Sequence, residues 1–303
     1  MYDVIIIGAG PAGLTAGIYA LRANLKVIIF ERETIGGQIS SSPLVENYPG
    51  YASISGTSLS NSMYEQYTKL GGELELEEVL EIKPGKEKTV VTDMGEYKAK
   101  AVIIATGAKH RKLGIPKEEE LIGKGISYCA TCDGAFYKEK TVAVIGGGSS
   151  AVTNAIYLAS LAKEVYIIYR KNQLKCEGAL LEKLNSLNNV KVVFDAVVTK
   201  LIGDDFLEAI ELNGKEVLKV DGIFVSVGME PNVEVVKDLL PLTQGDYIDA
   251  NETKTGLDGI FVAGDVRSKE LRQLTTAVSD GSLAATYAMN YIRSLKWDIE
   301  DLK

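Results

Sequence analysis

The sequence of 303 residues contains little cysteine and almost no histidine, with three Cys and one His. Three cysteines are too few for a disulfide-rich scaffold. A zinc site needs about four nitrogen, sulfur or oxygen ligands at suitable spacing. The only histidine is His110, so the chain has almost no histidine from which to form a His-dependent triad or a His-rich metal site. These shortages exclude most metal chemistry and His-assisted catalysis.

The chain also lacks an excess of positive charge and any long apolar run. Its formal net charge is −8, which argues against nucleic acid or an anionic membrane as a partner. No apolar run approaches the ~20 residues of a membrane helix, and Met1-Tyr2-Asp3 does not begin a signal or transit peptide. We therefore expect a protein of the reducing cytoplasm, where a close cysteine pair is more often catalytic than structural.

Glycine, by contrast, is abundant, at 30 of 303 residues. This share is about 10%, against a typical ~7%. A glycine excess in a globular chain indicates tight turns or close approaches of the backbone to a ligand. The length allows roughly two domains.

The sequence contains a diverged repeat, in which an apolar run is followed by a glycine turn, a helix-like stretch and a second apolar run. The first copy contains the string Gly8-Ala9-Gly10-Pro11-Ala12-Gly13 and the second contains Gly146-Gly147-Gly148-Ser149-Ser150-Ala151. Strand, glycine turn, helix and strand are typical of a βαβ unit. The repeat predicts helices at residues 11–23 and 150–162.

The rest of the chain indicates that one repeat is inserted into the other. An apolar run at 101–105 has a counterpart at 222–228, whereas a last strand at 259–263 and a helix at 274–294 have none. We predict an α/β fold of two Rossmann-like dinucleotide-binding domains, the second inserted into the first. Residues 1–113 and 244–303 form the first, discontinuous domain, and residues 114–243 form the inserted domain.

The first glycine turn has the pattern G-x-G-x-x-G after a strand and before a helix. Its glycines let backbone N–H groups approach a pyrophosphate at the helix N-terminus. Glu31 lies at the end of the following strand, where a carboxylate accepts hydrogen bonds from an adenosine ribose. Strand, turn, helix and acid together predict a dinucleotide site.

The second turn has the pattern G-x-G-x-x-A, and the position that matches Glu31 is Tyr169. Arg170, Lys171 and Lys175 follow, and basic residues here suit a 2′-phosphate, which favours NADPH over NADH. The alternative is a solvated basic edge without a ligand. Two dinucleotide domains in one chain indicate a flavin and a nicotinamide.

The most specific feature is the string Cys129-Ala130-Thr131-Cys132-Asp133-Gly134. A C-x-x-C pair can close a disulfide and often contains a thiol of lowered pKa. The adjacent carboxylate offers an acid and base for the thiol. Half of a zinc site is disfavoured because the sequence has no second C-x-x-C, and a redox-inert pair is the remaining alternative.

Other polar positions are interpreted as surface. Cys176 is expected to be a structural or surface thiol, and His110 to lie in a solvated basic loop. The acidic run at residues 118–120 is expected to form a solvated face.

Taken together, these residues resemble the low-molecular-weight thioredoxin reductases, which are class II pyridine nucleotide-disulfide oxidoreductases, over essentially the whole chain. The most specific marker is the C-A-T-C-D string at residues 129–133. The other markers are the first glycine turn, Gly36-Gly37-Gln38, Ala105-Thr106-Gly107, and Gly264-Asp265-Val266-Arg267 with Arg272-Gln273.

The resemblance implies FAD in the split domain and NADPH in the inserted domain. The residues implied to hold FAD are Gly8, Gly10, Pro11, Ala12, Gly13, Glu31, Gly37, Gln38, Asn47, Thr106, Gly107, Gly264, Asp265, Arg272, Gln273 and Leu274. The residues expected to hold NADPH are Gly146, Gly148, Ser149, Ser150, Ala151, Arg170, Lys171 and Lys175.

The resemblance also implies roles for the redox centre. Cys132 would be the flavin-proximal thiol, Cys129 the thiol that attacks the thioredoxin disulfide, and Asp133 the general acid and base. The implied partner is thioredoxin or a thioredoxin-like protein, and the implied assembly is a homodimer through the FAD domains. Two linkers between the domains suit a rotation between two orientations.

The sequence departs from the family in the inserted domain. The usual acidic pair after the glycine turn is replaced by Thr153 and Asn154, and the H-R-R-x-x-x-R phosphate grip is Y-R-K-x-x-x-K from Tyr169 to Lys175. Lysine keeps the charge of arginine but loses its bidentate fork. NADPH remains the favoured donor, with NADH, ferredoxin or an unknown donor as alternatives.

Two other functions remain open at this point. A flavin dithiol oxidase that uses O₂ would keep the C-x-x-C pair and drop nicotinamide binding. A regulatory protein that binds a dinucleotide without turnover is disfavoured by the intact group of Cys129, Cys132 and Asp133.

Overall fold

The chain forms two compact units in a computed structural model that describes residues 1–42, 45–176 and 178–300, with residues 296–300 described by their backbone alone. The first, the split unit, consists of residues 1–109 and the chain from residue 230 onward. The second, the inserted unit, consists of residues 110–229.

Both units are built from strands and helices. Up to residue 110 the elements are β1 (Tyr2–Ile7), α1 (Pro11–Arg22), β2 (Val27–Phe30), α2 (Gly56–Lys69), β3 (Glu73–Glu75), β4 (Val79–Lys83), β5 (Lys88–Thr92), β6 (Glu96–Ile104) and β7 (Ala108–His110). Up to residue 231 they are β8 (Ile126–Ser127), α3 (Ala130–Asp133), β9 (Thr141–Ile145), α4 (Ser149–Ala159), β10 (Glu164–Ile168), α5 (Gly178–Asn185), β11 (Val190–Val193), β12 (Val198–Ile202), β13 (Ala209–Leu212), β14 (Glu216–Lys219), β15 (Gly222–Val225) and β16 (Met229–Pro231). The last elements are β17 (Ile260–Val262) and α6 (Leu274–Glu300).

The split unit is built on a sheet in the order β3-β2-β1-β6-β5-β4. The long strand β6 serves two partners on one edge, because its first half pairs antiparallel with β5 and its second half pairs parallel with β17. On its other edge β6 pairs parallel with β1. The carboxyl ends of β1, β2, β6 and β17 therefore meet at one edge of the sheet, which is where open α/β sheets bind ligands.

Both faces of this sheet are covered, which explains why β1 is apolar throughout. Val4 and Ile6 pack with helices α1 and α6, and Ile5 and Ile7 pack on the opposite face. Alternate residues of a strand point to opposite faces, so a strand buried on both sides has no polar alternation.

The inserted unit repeats this plan with a parallel sheet in the order β11-β10-β9-β15-β8. One face packs against a core that includes residues of α4 and α5, and the other face packs against the antiparallel sheet β12-β13-β14. The predicted fold class, with two Rossmann-like domains of which the second is inserted into the first, is confirmed by the topology and by the solved relatives reported below.

The boundaries differ from the predicted ones in places. Residues 230–243, predicted in the inserted domain, lie in the split unit, because Val236 and Leu240 are buried in the core that contains Ile5. The helix of the second repeat is Ser149–Ala159, and the last helix is longer than expected, at Leu274–Glu300. Among the described residues, no helix is long and apolar enough to cross a membrane.

Candidate functional site

The glycine turn of the split unit joins β1 to α1. Gly8 has φ +104°, and a side chain on Gly13 would begin 1.9 Å from the carbonyl oxygen of Gly8. These two glycines therefore close the turn on itself. Pro11 occupies the first turn of α1, where its missing N–H costs nothing because the first N–H groups of a helix lack intrahelical partners.

Gly10 has a different role, because the space beside its Cα is open. Its backbone is extended, with φ −73°, and it precedes α1 without a side-chain cap. Apart from Gly10 and its two chain neighbours, no described residue has an atom within 4 Å of the point where a Gly10 side chain would begin. The N–H groups at the start of α1 are therefore open to an anionic ligand.

Two other predicted residues, Gly37 and Glu31, lie against this turn. Gly37 has φ +56°, and its Cβ position lies 3.3 Å from Cα of Gly10, while the neighbouring Gly36 donates its N–H to the carbonyl of Ala9. Glu31 ends the strand after the turn, and its Oε2 accepts the Ala9 N–H at 2.8 Å. Glu31 thus shapes the turn as well as lying where a ribose would bind.

Gln38 and Asn47 bind protein groups in this structure. The Gln38 side chain donates to the carbonyl of Ala108. Asn47 Nδ2 donates to Gln273 Oε1 at 3.1 Å. The structure thus brings the loop that carries Asn47 to the residue that precedes α6.

Thr106 and Gly107 are held by a residue that sequence reasoning missed. Asn232 donates to the carbonyl of Thr106 at 2.7 Å, and Thr106 Oγ1 donates to the carbonyl of Asn232 at 2.6 Å. The buried Asn232 Oδ1 has no hydrogen-bond partner among the described residues. A cavity of about 80 Å³ lies here, and its lining includes Gly8, Glu31, Thr106 and Asn232.

Gly264 and Asp265 follow β17 and border a second unexpected group, a cluster of four charges in which Asp280 is buried and the other three residues are half-buried. Asp280 accepts from Nε and Nη2 of Arg267, at 2.9 and 2.7 Å, and from the Gly264 N–H at 3.1 Å. Lys269 Nζ lies 3.2 Å from Asp280 and 3.0 Å from Asp265 Oδ1. We call Asp265, Arg267, Lys269 and Asp280 the charge cluster.

Arg272, predicted to hold the cofactor, supports the same loop. Its guanidinium donates to the carbonyl groups of Asp265, Arg267 and Lys269, and it lies over the ring of Tyr247 at 3.8 Å. Leu274 begins α6. The structure thus assembles the predicted residues of the split unit around the carboxyl ends of its parallel strands.

The split unit fits a dinucleotide. The open space beside Gly10, the unpartnered Asn232 Oδ1 and the cavity beside Glu31 lie along one edge of the sheet. The space beside Gly10 would take a diphosphate. The hydroxyl or amine donors of an adenosine suit Asn232 Oδ1 and the cavity beside Glu31.

The glycine turn of the inserted unit repeats the geometry of the first. Gly148 is extended, with φ −90°, and again no described atom lies within 4 Å of its Cβ position. Gly146 has φ +144° and approaches the carbonyl of Ser226. Ser149 and Ser150 are exposed at the start of α4, and Ala151 is buried.

The predicted basic residues lie beside this turn. The Lys175 N–H donates to the carbonyl of Gly147 at 2.7 Å, and the Tyr169 ring packs on Gly147. Arg170, Lys171 and Lys175 are exposed. The segment that carries the three cations is therefore bonded directly to the glycine turn.

Cys129 and Cys132 form a disulfide in the inserted unit, at the short helix α3. The Cys129 carbonyl accepts the N–H groups of Cys132 and Asp133 at 3.2 and 3.1 Å. Cys176 is a free thiol and half-buried. The structure thus leaves one pair for redox chemistry.

Asp133 follows Cys132 in the chain, and its two carboxylate oxygens have unequal surroundings. Oδ2 accepts the Ser127 hydroxyl at 2.6 Å, whereas the buried Oδ1 has no hydrogen-bond partner among the described residues. Burial raises the pKa of Asp133, and the hydrogen bond from Ser127 partly offsets that rise. A carboxyl group with a raised pKa beside a disulfide can hold and release a proton.

Two units of Rossmann type, one of them with a disulfide beside such a carboxyl group, define a disulfide oxidoreductase that works with dinucleotides. The chain belongs to the pyridine nucleotide-disulphide oxidoreductase family, whose model matches residues 2–281. The resemblance seen in the sequence is thereby confirmed. Membership implies a flavin and a nicotinamide nucleotide as cofactors.

Several similar proteins are named thioredoxin reductase. The chain is 42% identical to thioredoxin reductase of Bacillus subtilis, with 100% of this chain and 98% of that protein covered. It is 43% identical to the crystal structure of thioredoxin reductase from Streptococcus pyogenes, with a TM-score of 0.92 and coverage of 97% and 99%. A ferredoxin-flavin thioredoxin reductase from Clostridium acetobutylicum is 32% identical, with a TM-score of 0.53 and coverage of 97% and 98%.

Proposed function

We propose that this chain is a thioredoxin-disulfide reductase in which electrons pass from NADPH through FAD to the Cys129–Cys132 disulfide and then to thioredoxin. The observation that carries the proposal is the closed disulfide beside Asp133, within a chain similar over its whole length to thioredoxin reductases. We also propose that it works as a homodimer in the reducing cytoplasm.

FAD is assigned to the split unit. The first glycine turn would hold the diphosphate, and Glu31 and Asn232 the adenosine. Asp265 would meet the ribitol–pyrophosphate region, and Gln273 with the start of α6 would approach the isoalloxazine. Bound there, FAD would supply the electron pair that opens the disulfide.

A Gly10→Ala substitution tests the assignment to the first turn. Because the Cβ position of Gly10 is open, we expect unfolding of the protein without flavin to change little. We expect flavin affinity to fall about tenfold or more, since the methyl group fills the space through which the helix N–H groups reach a diphosphate. Flavin titration by fluorescence measures this. The matched variant is Gly148→Ala, which should spare flavin binding, and equal flavin affinity in both variants would contradict the assignment.

The chain's own residues then carry out thiol–disulfide exchange. Two electrons and two protons convert the Cys129–Cys132 disulfide into two thiols. The Cys129 thiolate attacks the thioredoxin disulfide, forms a mixed disulfide and expels one thioredoxin thiolate. The Cys132 thiolate attacks Cys129 Sγ, restores the internal disulfide and expels the second thiolate. Asp133 gives and takes a proton at these sulfur atoms.

NADPH is assigned to the inserted unit on the basis of its three exposed cations. Arg170 and Lys171 follow β10, and Lys175 is tied to the glycine turn. A 2′-phosphate would be attracted by all three charges, whereas NADH offers only hydroxyl groups at that position.

The double variant Arg170→Ala/Lys175→Ala tests this specificity. We expect half-saturation for NADPH to rise about tenfold or more, because charge-assisted hydrogen bonds are lost, and half-saturation for NADH to change little. Anaerobic flavin reduction at varied nucleotide concentration measures both. If the two nucleotides weaken equally, the 2′-phosphate has no role at these residues.

The residue changes around the second glycine turn support an alternative electron donor in place of NADPH. Thr153 and Asn154 replace an acidic pair, and two arginines of the family grip are lysines. A relative at 32% identity is named for ferredoxin. The alternative is therefore the same disulfide reductase with NADH or ferredoxin as donor, or a dithiol oxidase that uses O₂.

One experiment separates these functions. The purified protein is mixed anaerobically with NADPH, NADH or reduced ferredoxin, and bleaching of the flavin absorbance is followed, before and after addition of oxidised thioredoxin. Fast bleaching by NADPH and reoxidation by thioredoxin are the expected results. Bleaching by NADPH no faster than in buffer overturns the donor, and reoxidation by O₂ but not by thioredoxin overturns the acceptor.

A further inference from the structure

The buried hydroxyl of Ser127 contacts two residues of the redox centre, Cys129 and Asp133. Ser127 ends β8 and is 4% exposed. Its Oγ lies 2.6 Å from Asp133 Oδ2 and accepts the N–H of Cys129 at 3.0 Å. The carbonyl of Cys129 lies farther away, at 3.3 Å. The single hydroxyl proton therefore goes to the carboxylate, which is both the nearer and the stronger acceptor.

We infer that Ser127 is a positioning residue that directs the acid–base work of the redox centre to Asp133 Oδ1. This inference rests on the proposed thiol–disulfide exchange and adds the residue that orients it. Because Oδ2 is occupied by the Ser127 hydroxyl, the proton that Asp133 exchanges with a cysteine sulfur is carried by Oδ1. The transfer moves one proton and no electrons.

The surroundings of Asp133 Oδ1 support its role as the oxygen that carries the exchanged proton. Oδ1 is buried and has no hydrogen-bond partner in the described part of the chain. A buried acceptor without a partner is costly, and protonation at Oδ1 removes the buried charge. A carboxylate held by hydrogen bonds at both oxygens would instead favour the charged form.

Ser127 also ties the acid to the thiol that it serves. The Cys129 N–H and the Asp133 carboxylate meet at one oxygen atom, and the Asp133 N–H returns to the Cys129 carbonyl. A change in this hydroxyl therefore alters the orientation of the carboxyl group relative to Cys129 as well as its proton affinity.

Few titratable groups face Asp133 besides the two cysteines. Tyr137 lies in the following turn, and burial raises its pKa to about 12, so it stays protonated in the working range. Tyr157 of α4 reaches the position of Gly134. Burial and the hydrogen bond from Ser127 are the two influences on the pKa of Asp133, and they act in opposite directions.

Removing the hydroxyl tests the inference. In Ser127→Ala, the Asp133 carboxylate loses the one side-chain donor that it has among the described residues, so its pKa rises further. We expect the limb of the pH–rate profile that reports Asp133 to move upward by about one to two pH units, the equivalent of one hydrogen bond to a charged group. Ser127→Thr keeps the hydroxyl and should restore the wild-type profile.

The assay is chosen to be independent of the electron donor. The dithiol is reduced chemically, and its exchange with a small aromatic disulfide is followed by stopped flow from pH 5 to pH 10, in a Cys176→Ser background that removes the other thiol. If the wild-type dithiol does not exchange at all, the proposed function fails. If it exchanges but Ser127→Ala has an unshifted profile, only the role of Ser127 fails.

A second comparison excludes a merely structural effect. In an Asp133→Asn background the pH limb should disappear, and adding Ser127→Ala should then leave the profile unchanged. A shift of equal size with and without the Asp133 carboxyl group would overturn the inference, because Ser127 would then act through something other than the acid.

Discussion

A Cys132→Ser variant is expected to lose thioredoxin-disulfide reduction by about a thousandfold or more, because removing one member of a group that acts as a unit removes nearly the whole effect. Without a Cys129–Cys132 disulfide, the reduced flavin has no disulfide within the chain to which it can pass its electron pair. Flavin reduction by the donor should persist, because the residues assigned to both nucleotides are intact.

The matched control uses the third cysteine. Cys176 is free and half-buried and has no part in the disulfide, so Cys176→Ser should retain near wild-type turnover. Steady-state thioredoxin reduction and anaerobic flavin bleaching measure the two half-reactions separately. Reductase turnover retained in Cys132→Ser would rule out the dithiol mechanism.

An Asp280→Asn variant should lower the free energy of unfolding by about 3–5 kcal/mol, because it removes one partner of a buried charge pair. Asp280 is 3% exposed and binds Arg267, Lys269 and the Gly264 N–H. A neutral amide of nearly the same size leaves two half-buried cations, Arg267 and Lys269, with one carboxylate. The expected fall in Tm is about 10 °C, from a typical change of ~2–4 °C per kcal/mol.

Asp258→Asn provides the comparison, since Asp258 is an exposed aspartate of the same unit. Its effect should stay within about 0.5 kcal/mol, as for most surface changes. Thermal unfolding and the temperature of flavin release are recorded together. Equal Tm values in the two variants would mean that the charge cluster does not stabilise the split unit.

The glycine turns and the redox pair could be predicted from the sequence because local rules govern them. Gly8 adopts a positive φ and Gly13 lies against a carbonyl oxygen, and glycine alone meets both demands at little cost. The apolar runs on either side encode parallel strands in the same local way. Cys129 and Cys132 are three residues apart, so a single turn of chain brings them together.

The partners that complete the site could not be predicted, because their contacts join distant parts of the chain. Asn232 binds Thr106 across 126 positions, and nothing in its own neighbourhood signals this. Asp280 lies within α6 and acts through Gly264 and Arg267, which precede that helix. Charge pairs of this kind depend on tertiary packing, which no local spacing records.

Two surface interpretations were wrong for the same reason. Glu118, expected on a solvated face, is 3% exposed and accepts the N–H groups of Leu113 and Gly114 and the hydroxyl of Tyr128. His110, expected in a solvated loop, is half-buried and stacks on the Tyr128 ring at 5.1 Å. Polar residues in a charged run look alike in sequence, and only the tertiary fold shows which of them is buried with partners.

The split unit is made from the two ends of the chain, and this sets the order in which the protein can fold during its synthesis. Strand β17 completes the sheet beside β6, and α6 covers the face that also packs against α1. When residue 109 leaves the ribosome, both elements are still untranslated. The inserted unit is contiguous, so all of its residues are available about a hundred codons later.

The nascent chain therefore carries an incomplete sheet with a bare apolar face while the inserted unit folds, since domains generally fold as units as they emerge. Closing the split unit afterwards joins segments separated by a folded block. The entropy of such closure grows only with the logarithm of loop length, and the folded insert shortens the effective loop further. The vulnerable species during expression is thus residues 1–109, and a chaperone that shields apolar surface would act on that segment.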